Sequence, residues 1–160
     1  MLRGTVICVG KLTEKFYAEA AAEYVKRLGR YCRLELIELP EQRLPDAPSP
    51  AEIERALSKE ADAIRGKIPH ASSVVALCIE GKLRSSEEVA QMLGTCQHRG
   101  EKGLVFVIGG SFGLHASIKS GAWVRLSMSP MTFPHHLARV MLLEQIYRGF
   151  QILEGGKYHK

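Results

Sequence analysis

The most constraining feature of this chain is the regular alternation of short apolar runs with longer stretches of helical periodicity. The apolar runs predict five strands, at residues 5–9, 34–39, 73–79, 103–108 and 122–127. The other stretches predict helices at 14–29, from Ser49 to Gly66, from Ser85 onward, at 115–121 and at 135–150. Strands that alternate with helices form parallel sheets covered on both faces. We therefore predict an α/β fold, a mostly parallel sheet with helices on both faces, as a single domain over residues 1–160.

Capping motifs and apolar spacing give further detail about the predicted helices. Ser49-Pro50-Ala51-Glu52 and Ser85-Ser86-Glu87-Glu88 each place a serine three residues before a glutamate, the pattern of a capping box. Apolar spacing predicts the side chains that share a face of the first and the last helix: Phe16, Ala20, Tyr24 and Leu28, then Leu137, Val140, Met141, Glu144 and Tyr147.

Composition narrows the class of protein. The 160 residues are 46% apolar and 24% charged, with a mean hydropathy of −0.06. These values are typical of a globular protein and exclude a disordered tail, a collagen-like chain or a small disulfide scaffold. No apolar run approaches the ~20 residues that cross a bilayer, and the first residues do not resemble a signal peptide. We expect a cytoplasmic protein with no membrane partner.

Charge and cysteine spacing indicate which partners to expect. The chain has 22 basic and 17 acidic residues, and the formal net charge of +5 favours an anionic partner such as RNA. In a homodimer this surplus would double to about +10. The four cysteines, Cys8, Cys32, Cys78 and Cys96, form no Cys-x-x-Cys pair, so we predict neither a metal site nor a disulfide.

Ligands of open α/β sheets bind beyond the carboxyl ends of the strands, and three segments there carry distinctive residues. They are Glu80-Gly81-Lys82, the glycine loop Gly109-Gly110-Ser111-Phe112-Gly113-Leu114, and residues 127–135. The glycine loop fits either a tight turn between strand and helix or the close approach of a ligand to the backbone. It has neither the spacing of a dinucleotide fingerprint nor the Gly-Lys-Ser/Thr of a P-loop, which argues against ordinary NAD and ATP enzymes.

The segment 127–135 is the richest of the three. Its Met, Pro and Phe side chains either line a pocket for an apolar ring or pack on the sheet. His135 and Arg139 share a helix face, where they suit a phosphate or a planar base, or else serve as a cap and a solvated charge. The chain lacks a Gly-x-Ser-x-Gly elbow and has only two aspartates, which favours chemistry that mainly positions two substrates.

Several motifs extend over essentially the whole chain. They begin with Val6-x-x-Val9-Gly10-Lys11 and continue with Leu77-x-Ile79-x-Gly81-Lys82 and the glycine loop. The most specific are LSMSPMTFPHHLAR at 126–139, LEQIYR at 143–148 and the final Tyr158-His159-Lys160. Together they resemble the ribosomal RNA large subunit methyltransferase H family, which belongs to the SPOUT class. Phe112 departs from that pattern, since relatives often carry a polar or acidic residue there.

The resemblance implies an α/β fold with a C-terminal trefoil knot, in a homodimer that binds S-adenosylmethionine in the knot. It also implies methylation of N3 of a pseudouridine in helix 69 of 23S ribosomal RNA, on the assembled ribosome. Two alternatives differ in testable ways. A non-catalytic ribosome-binding module needs no cofactor pocket, and a methyltransferase for another RNA position would modify a different nucleotide.

The same resemblance implies individual site residues. Those for the cofactor are Leu77, Gly109, Met128, Ser129, Pro130, Met131, Thr132 and Phe133. Those that face the RNA are His135, Arg139 and Arg148. The catalytic residues are Tyr158 and His159 in a flexible tail, with His159 or a phosphate-anchored water accepting the N3 proton.

Overall fold

Strands and helices alternate strictly along the chain, as predicted, in a computed structural model that describes residues 1–160. The strands are β1 (Leu2–Val9), β2 (Cys32–Leu39), β3 (Ser72–Leu83), β4 (Gly103–Ile108) and β5 (Val124–Ser127). The helices are α1 (Lys15–Leu28), α2 (Pro50–Arg65), α3 (Ser86–His98), α4 (Ala116–Gly121) and α5 (His135–Leu153). None of these helices combines the length and the apolar character needed to span a bilayer.

The five strands form one parallel sheet in the order β2-β1-β4-β3-β5. Because β3 lies between β4 and β5, the chain passes over β3 on its way from β4 to β5. All carboxyl ends point the same way in a parallel sheet, so those of β4, β3 and β5 are neighbours. The predicted α/β fold is confirmed, and the C-terminal knot stays a prediction.

Helices cover both faces of the sheet. In β1, Val6 and Cys8 belong to a core shared with α1, α3 and α5, whereas Ile7 and Val9 belong to a core shared with α2 and α4. Every residue of β4 is buried. Burying a valine, leucine or isoleucine side chain contributes about 1.5–3 kcal/mol. The central strands are therefore stable and hold the loops at their carboxyl ends in place.

Both predicted capping boxes are present. The Ser49 hydroxyl accepts a hydrogen bond from the Glu52 N–H at 3.2 Å, and the Glu52 carboxylate accepts one from the Ser49 N–H at 3.1 Å. Ser85 and Glu88 form the same pair of bonds at 3.1 and 2.7 Å. These bonds satisfy amides that a first helical turn leaves unpaired, and so they define where α2 and α3 begin.

The buried faces of two helices differ from prediction. In α1, Leu28 is buried as predicted, Ala20 and Tyr24 are half-buried, and Phe16 is exposed. Ala21, which the spacing did not include, is also buried. The predicted face of α5 is only half-buried, because this helix packs against both α1 and α3. Its buried residues are Arg139, Leu142, Leu143, Ile146, Gly149 and Phe150.

β3 is longer than predicted and contains an irregularity. The strand continues to Leu83, so Gly81 and Lys82 lie within it and not in a loop after it. Leu77 and Lys82 both pair with Leu126 of β5, which leaves residues 78–81 outside the ladder as a bulge.

Candidate functional site

A cavity of ≈780 Å³ opens beyond the carboxyl ends of β3, β4 and β5. This volume lies within the ~300–1,000 Å³ typical of sites for small molecules and cofactors. Its walls come from segments within 77–80, 108–114 and 126–138, together with Lys119 of α4. Loops that leave neighbouring parallel strands diverge at this end of the sheet, and such divergence is where α/β sheets bind ligands.

All residues predicted to bind the cofactor line this cavity except Pro130. They are Leu77 of β3, Gly109 after β4, and Met128, Ser129, Met131, Thr132 and Phe133 after β5. These segments are distant in sequence, and the strand order β4-β3-β5 brings them together. His135, which was predicted to contact RNA, also lines the cavity.

The glycine loop turns so tightly that it has no room for side chains. A Cβ on Gly109 would overlap the carbonyl group of Gly113, and Gly110 pairs with Gly113 as an isolated bridge. Gly113 has a φ of 78°, a left-handed conformation that favours glycine. The loop is therefore a tight turn that also presents bare backbone to the cavity, so the two interpretations of its sequence are compatible.

A carboxylate that sequence reasoning missed secures this turn. Glu41, just after β2, accepts a hydrogen bond at 2.7 Å from the N–H of Ser111, 70 residues away. A Cβ on Gly110 would lie 2.5 Å from Glu41 Oε1, so the glutamate lies directly over the turn. The sequence carries no signal for this contact, because Glu41 stands in a proline-rich connection that predicts only an exposed loop.

The first turns of α5 place His135 and Arg139 in different surroundings. Burial lowers the pKa of the His135 imidazole below its ordinary value of 6.5, and the neighbouring His136 adds to the effect. Arg139 is only 1% exposed, and its guanidinium donates to Glu38 at 2.5 Å and to the carbonyl of Gly10 at 2.9 Å. The prediction that Arg139 faces RNA does not fit this burial. Arg139 instead ties α5 to the ends of β1 and β2.

The Glu38 carboxyl, which pairs with Arg139, is kept in its charged form. Burial would raise the pKa of the Glu38 carboxyl, but hydrogen bonds from Arg139 and from the N–H of Leu12 keep it below its ordinary value. Removal of Arg139 would therefore leave a carboxylate without its main partner.

A second group of polar side chains lies where the end of the chain returns to α5. This tail cluster consists of Glu87, Glu144, Arg148, Tyr158 and His159. Glu144 accepts hydrogen bonds from Arg148 at 2.6 and 3.0 Å and from the Tyr158 hydroxyl at 3.2 Å. The Arg148 guanidinium also lies 4.8 Å from the centre of the Tyr158 ring, a cation–π contact. The predicted flexible tail is thus docked on α5.

Two further properties of the tail cluster bear on proton chemistry. His159 Nδ1 lies 3.2 Å from an Arg148 nitrogen that can only donate, and His159 Nε2 lies 2.7 Å from Glu87. A neutral ring with its hydrogen on Nε2 satisfies both contacts. Burial, with contacts to Tyr24 and Glu144, raises the pKa of Tyr158 to about 12, so its hydroxyl stays protonated.

The tail cluster and the cavity are separate within one chain. None of Arg148, Tyr158 and His159 lines the cavity. Apart from Pro130 and Arg139, the predicted site residues therefore fall into two groups, one around an apolar cavity of cofactor size and one in a polar cluster at the far end of α5.

Comparison with known proteins connects this arrangement to one family. The chain matches a family model described as "Predicted SPOUT methyltransferase" over residues 2–159. It is similar in structure to a probable methylase family protein from Haemophilus influenzae Rd KW20, with a TM-score of 0.55, 15% identity, and coverage of 99% of this chain and 70% of that chain. A probable methyltransferase from Bordetella pertussis Tohama I gives a TM-score of 0.58 and 14% identity, covering 92% of this chain and 96% of that one. At such identities the two structures show a shared fold.

Proposed function

The chain belongs to the SPOUT methyltransferase family, and from this premise we propose that it methylates N3 of a pseudouridine in helix 69 of 23S ribosomal RNA. Members of the family generally use S-adenosylmethionine, which we propose as the methyl donor. The nucleotide, and the assembled ribosome as substrate, are what the resemblance of the motifs at 126–139 and 143–148 to the methyltransferase H family implies.

The observation that carries this proposal is the cavity at the ends of β3, β4 and β5. An adenosine group needs an apolar slot with backbone groups at its edge. Leu77, Met128 and Phe133 offer the apolar surface, and Gly109 offers backbone that no side chain covers. Volume and lining therefore both fit the donor.

The chain's own contribution to the reaction is to position two substrates. When bound, S-adenosylmethionine supplies an electrophilic methyl group on a positively charged sulfur. The protein holds the reacting groups in line and excludes water from them. The glycine loop and the segment 128–133 suit this task because each is fixed by hydrogen bonds, Ser111 N–H to Glu41 at 2.7 Å and Met131 N–H to Ser129 Oγ at 3.0 Å.

Proton transfer is assigned to the tail cluster. N3 of a pseudouridine is a weakly acidic imide nitrogen that loses its proton during methylation. We assign this proton to Nδ1 of His159, which exchanges its contact with the Arg148 guanidinium for the N3–H. Tyr158 has a pKa of about 12 and acts as a hydrogen-bond donor. Arg148 supplies positive charge for the RNA backbone.

In this proposal a second copy of the chain completes the site. The tail cluster does not line the cavity of its own chain, and one chain carries a net charge of only +5. A homodimer would bring the tail cluster of one subunit to the cavity of its partner and would double the positive charge available to the ribosome.

Mapping the methylated nucleotide tests the proposed substrate. We expect one N3-methylated pseudouridine in helix 69 after incubation with intact ribosomes, and none after incubation with naked 23S RNA. Methylation at another nucleotide would contradict the substrate and retain the enzyme. Calorimetry provides a second test. Absence of heat on titration with millimolar S-adenosylmethionine would favour a non-catalytic ribosome-binding module.

Mixed dimers test whether the site is shared between subunits. A variant lacking residues 158–160 keeps its cavity, and Gly109→Trp, whose large side chain would fill the cavity, keeps its tail. If tails act across the dimer, random mixing of these inactive proteins should restore roughly a quarter of wild-type activity, since half of the dimers regain one of two sites. No recovery would mean that each tail serves its own subunit.

A further inference from the structure

The cavity is lined by one carboxylate and one ammonium group, and these two are paired with each other. Glu80 Oε1 lies 2.5 Å from Lys119 Nζ. All other lining residues are apolar, glycine or neutral polar, apart from His135, whose neutral form is favoured by burial. Opposite charges in the cavity are thus confined to one place, where β3 meets α4.

The backbone of β3 is shaped to bring Glu80 to this place. Glu80 lies in the bulge formed by residues 78–81, and bulges beside functional sites commonly redirect a side chain. Gly81 lets the bulge press closely on β5, because a Cβ there would lie 2.8 Å from the carbonyl group of Arg125. Glu80 therefore follows Leu77 on a single segment that lines both the apolar and the charged part of the cavity.

The ion pair contributes little to the stability of the fold. The Glu80 and Lys119 side chains are 54% and 27% exposed, and exposed pairs contribute about 0–1 kcal/mol. The hydrogen bond from Lys119 lowers the pKa of the Glu80 carboxyl, which favours its charged form. Two weakly held charges of this kind are free to exchange partners with a ligand that carries both signs.

We propose that Glu80 and Lys119 form a subsite for a zwitterionic α-amino acid group, the methionine end of the methyl donor. The inference rests on the proposed function. Glu80 accepts hydrogen bonds from the α-ammonium group, and Lys119 donates to the α-carboxylate. Each charge of the ligand then replaces one partner of the existing pair, so no charge is left unpaired when the ligand binds.

Calorimetric titration of the full-length protein with three ligands tests this subsite. S-adenosylhomocysteine carries both charged groups, a second analogue lacks only the α-carboxylate, and 5′-methylthioadenosine lacks the whole amino-acid portion. Loss of one charged contact should lower the affinity of the wild type about tenfold, which is typical of a hydrogen bond to a charged group.

Substitutions assign each contact to one side chain. Glu80→Gln and Lys119→Met should each weaken S-adenosylhomocysteine about tenfold and leave 5′-methylthioadenosine within about twofold. Lys119→Met should not weaken the analogue without the carboxylate, whereas Glu80→Gln should. Lys102→Met is the matched control, because Lys102 is exposed and lies just before β4, at the opposite end of the sheet from the cavity. This variant should bind all three ligands as the wild type does.

Three outcomes would overturn the inference. Equal weakening of all three ligands would mean that the pair only shapes the cavity. Unchanged affinities, with weaker ribosome binding by Lys119→Met, would assign Lys119 to an RNA phosphate. Failure of the wild type to bind any of the three ligands would remove the proposed function, and this inference with it, whereas the first two outcomes leave the proposed function intact.

Discussion

The two ends of α5 carry the same kinds of residue in opposite surroundings. Near its start, His135 lines the cavity and Arg139 is buried against the ends of β1 and β2. Near its end, the Arg148 side chain is 25% exposed, and it contacts Glu144 and the last residues of the chain. Both arginines occupy positions that the sequence predicts to face RNA, but only Arg148 has exposed surface with which to do so.

This difference indicates that one helix links two tasks. At its start, Arg139 joins Glu38 to the carbonyl of Gly10 and so fixes the strand ends beside the cavity. At its end, Arg148 organises the tail cluster that we propose acts on the RNA. Changes at the two ends should therefore affect different measurements, namely stability at one end and turnover at the other.

The largest expected effect follows from removing residues 158–160. Turnover on ribosomes should fall by about 10²–10⁴-fold, because the proposed proton acceptor and its hydrogen-bond donor are both lost. Affinity for S-adenosylhomocysteine should stay within about twofold of the wild type, since neither Tyr158 nor His159 lines the cavity. Methyl incorporation and calorimetry measure the two quantities, and an equal loss of both would contradict the separation of the two ends.

The next effect is on stability, from Arg139→Met. Truncating one partner of a buried ion pair costs about 3–5 kcal/mol, and we expect the lower end, about 3 kcal/mol, because the Glu38 side chain is 35% exposed. The same substitution at Arg148, whose side chain is 25% exposed and whose partner Glu144 is 18% exposed, should cost less, about 1–2 kcal/mol. Urea unfolding at one fixed protein concentration compares the two variants. Equal destabilisation would remove the contrast between the arginines.

Much of the fold could be predicted because its signals are local. The capping boxes at Ser49 and Ser85 need only four consecutive residues, and β4 is a continuous apolar run. The buried face of α5 could not be predicted in this way. This helix packs on α1 and on α3, so apolar side chains lie on several of its sides and spacing selects no single face.

The site follows the same division between local and distant signals. The glycine loop that begins at Gly109 could be predicted to lie beside a ligand because it directly follows β4. Leu77 is implied only by the resemblance of its motif to the family. The role of Arg139 depends on Glu38, 101 residues away, and that of Glu41 on Ser111, 70 residues away. Such pairs follow from strand order, which no spacing in the sequence reveals.

A smaller effect is expected when only the cavity is changed, by Gly109→Ala. The added Cβ would meet the carbonyl of Gly113, so the turn must shift, and affinity for S-adenosylhomocysteine should fall about tenfold with about 1–3 kcal/mol of lost stability. Gly121→Ala is the matched control, because its Cβ would have no neighbour within 4 Å. Wild-type affinity in Gly109→Ala would mean that the turn does not hold the ligand.

The smallest expected effects are changes in the stability of the fold with pH, and they have opposite directions at the two ends of α5. Burial lowers the pKa of His135, so its contribution to stability is complete above its ordinary value of 6.5 and is lost as pH falls through the lowered pKa. Burial raises the pKa of Tyr158 from 10.0 to about 12, so its contribution is complete below pH 10.0 and is lost as pH rises through about 12.

Unfolding midpoints across pH, measured for the wild type, His135→Gln and Tyr158→Phe, separate these contributions. His135→Gln should flatten the acid side alone and Tyr158→Phe the alkaline side alone, because each removes one titrating group. The shifts should be modest, since other charged groups share both surroundings: Glu14, Glu41, His136 and Arg139 around His135, and Tyr24, Glu144 and Arg148 around Tyr158. If His135→Gln altered the alkaline side of the stability profile instead, the titrations at the two ends of α5 would be coupled. The loss of turnover on removal of residues 158–160 could then no longer be assigned to the tail cluster alone.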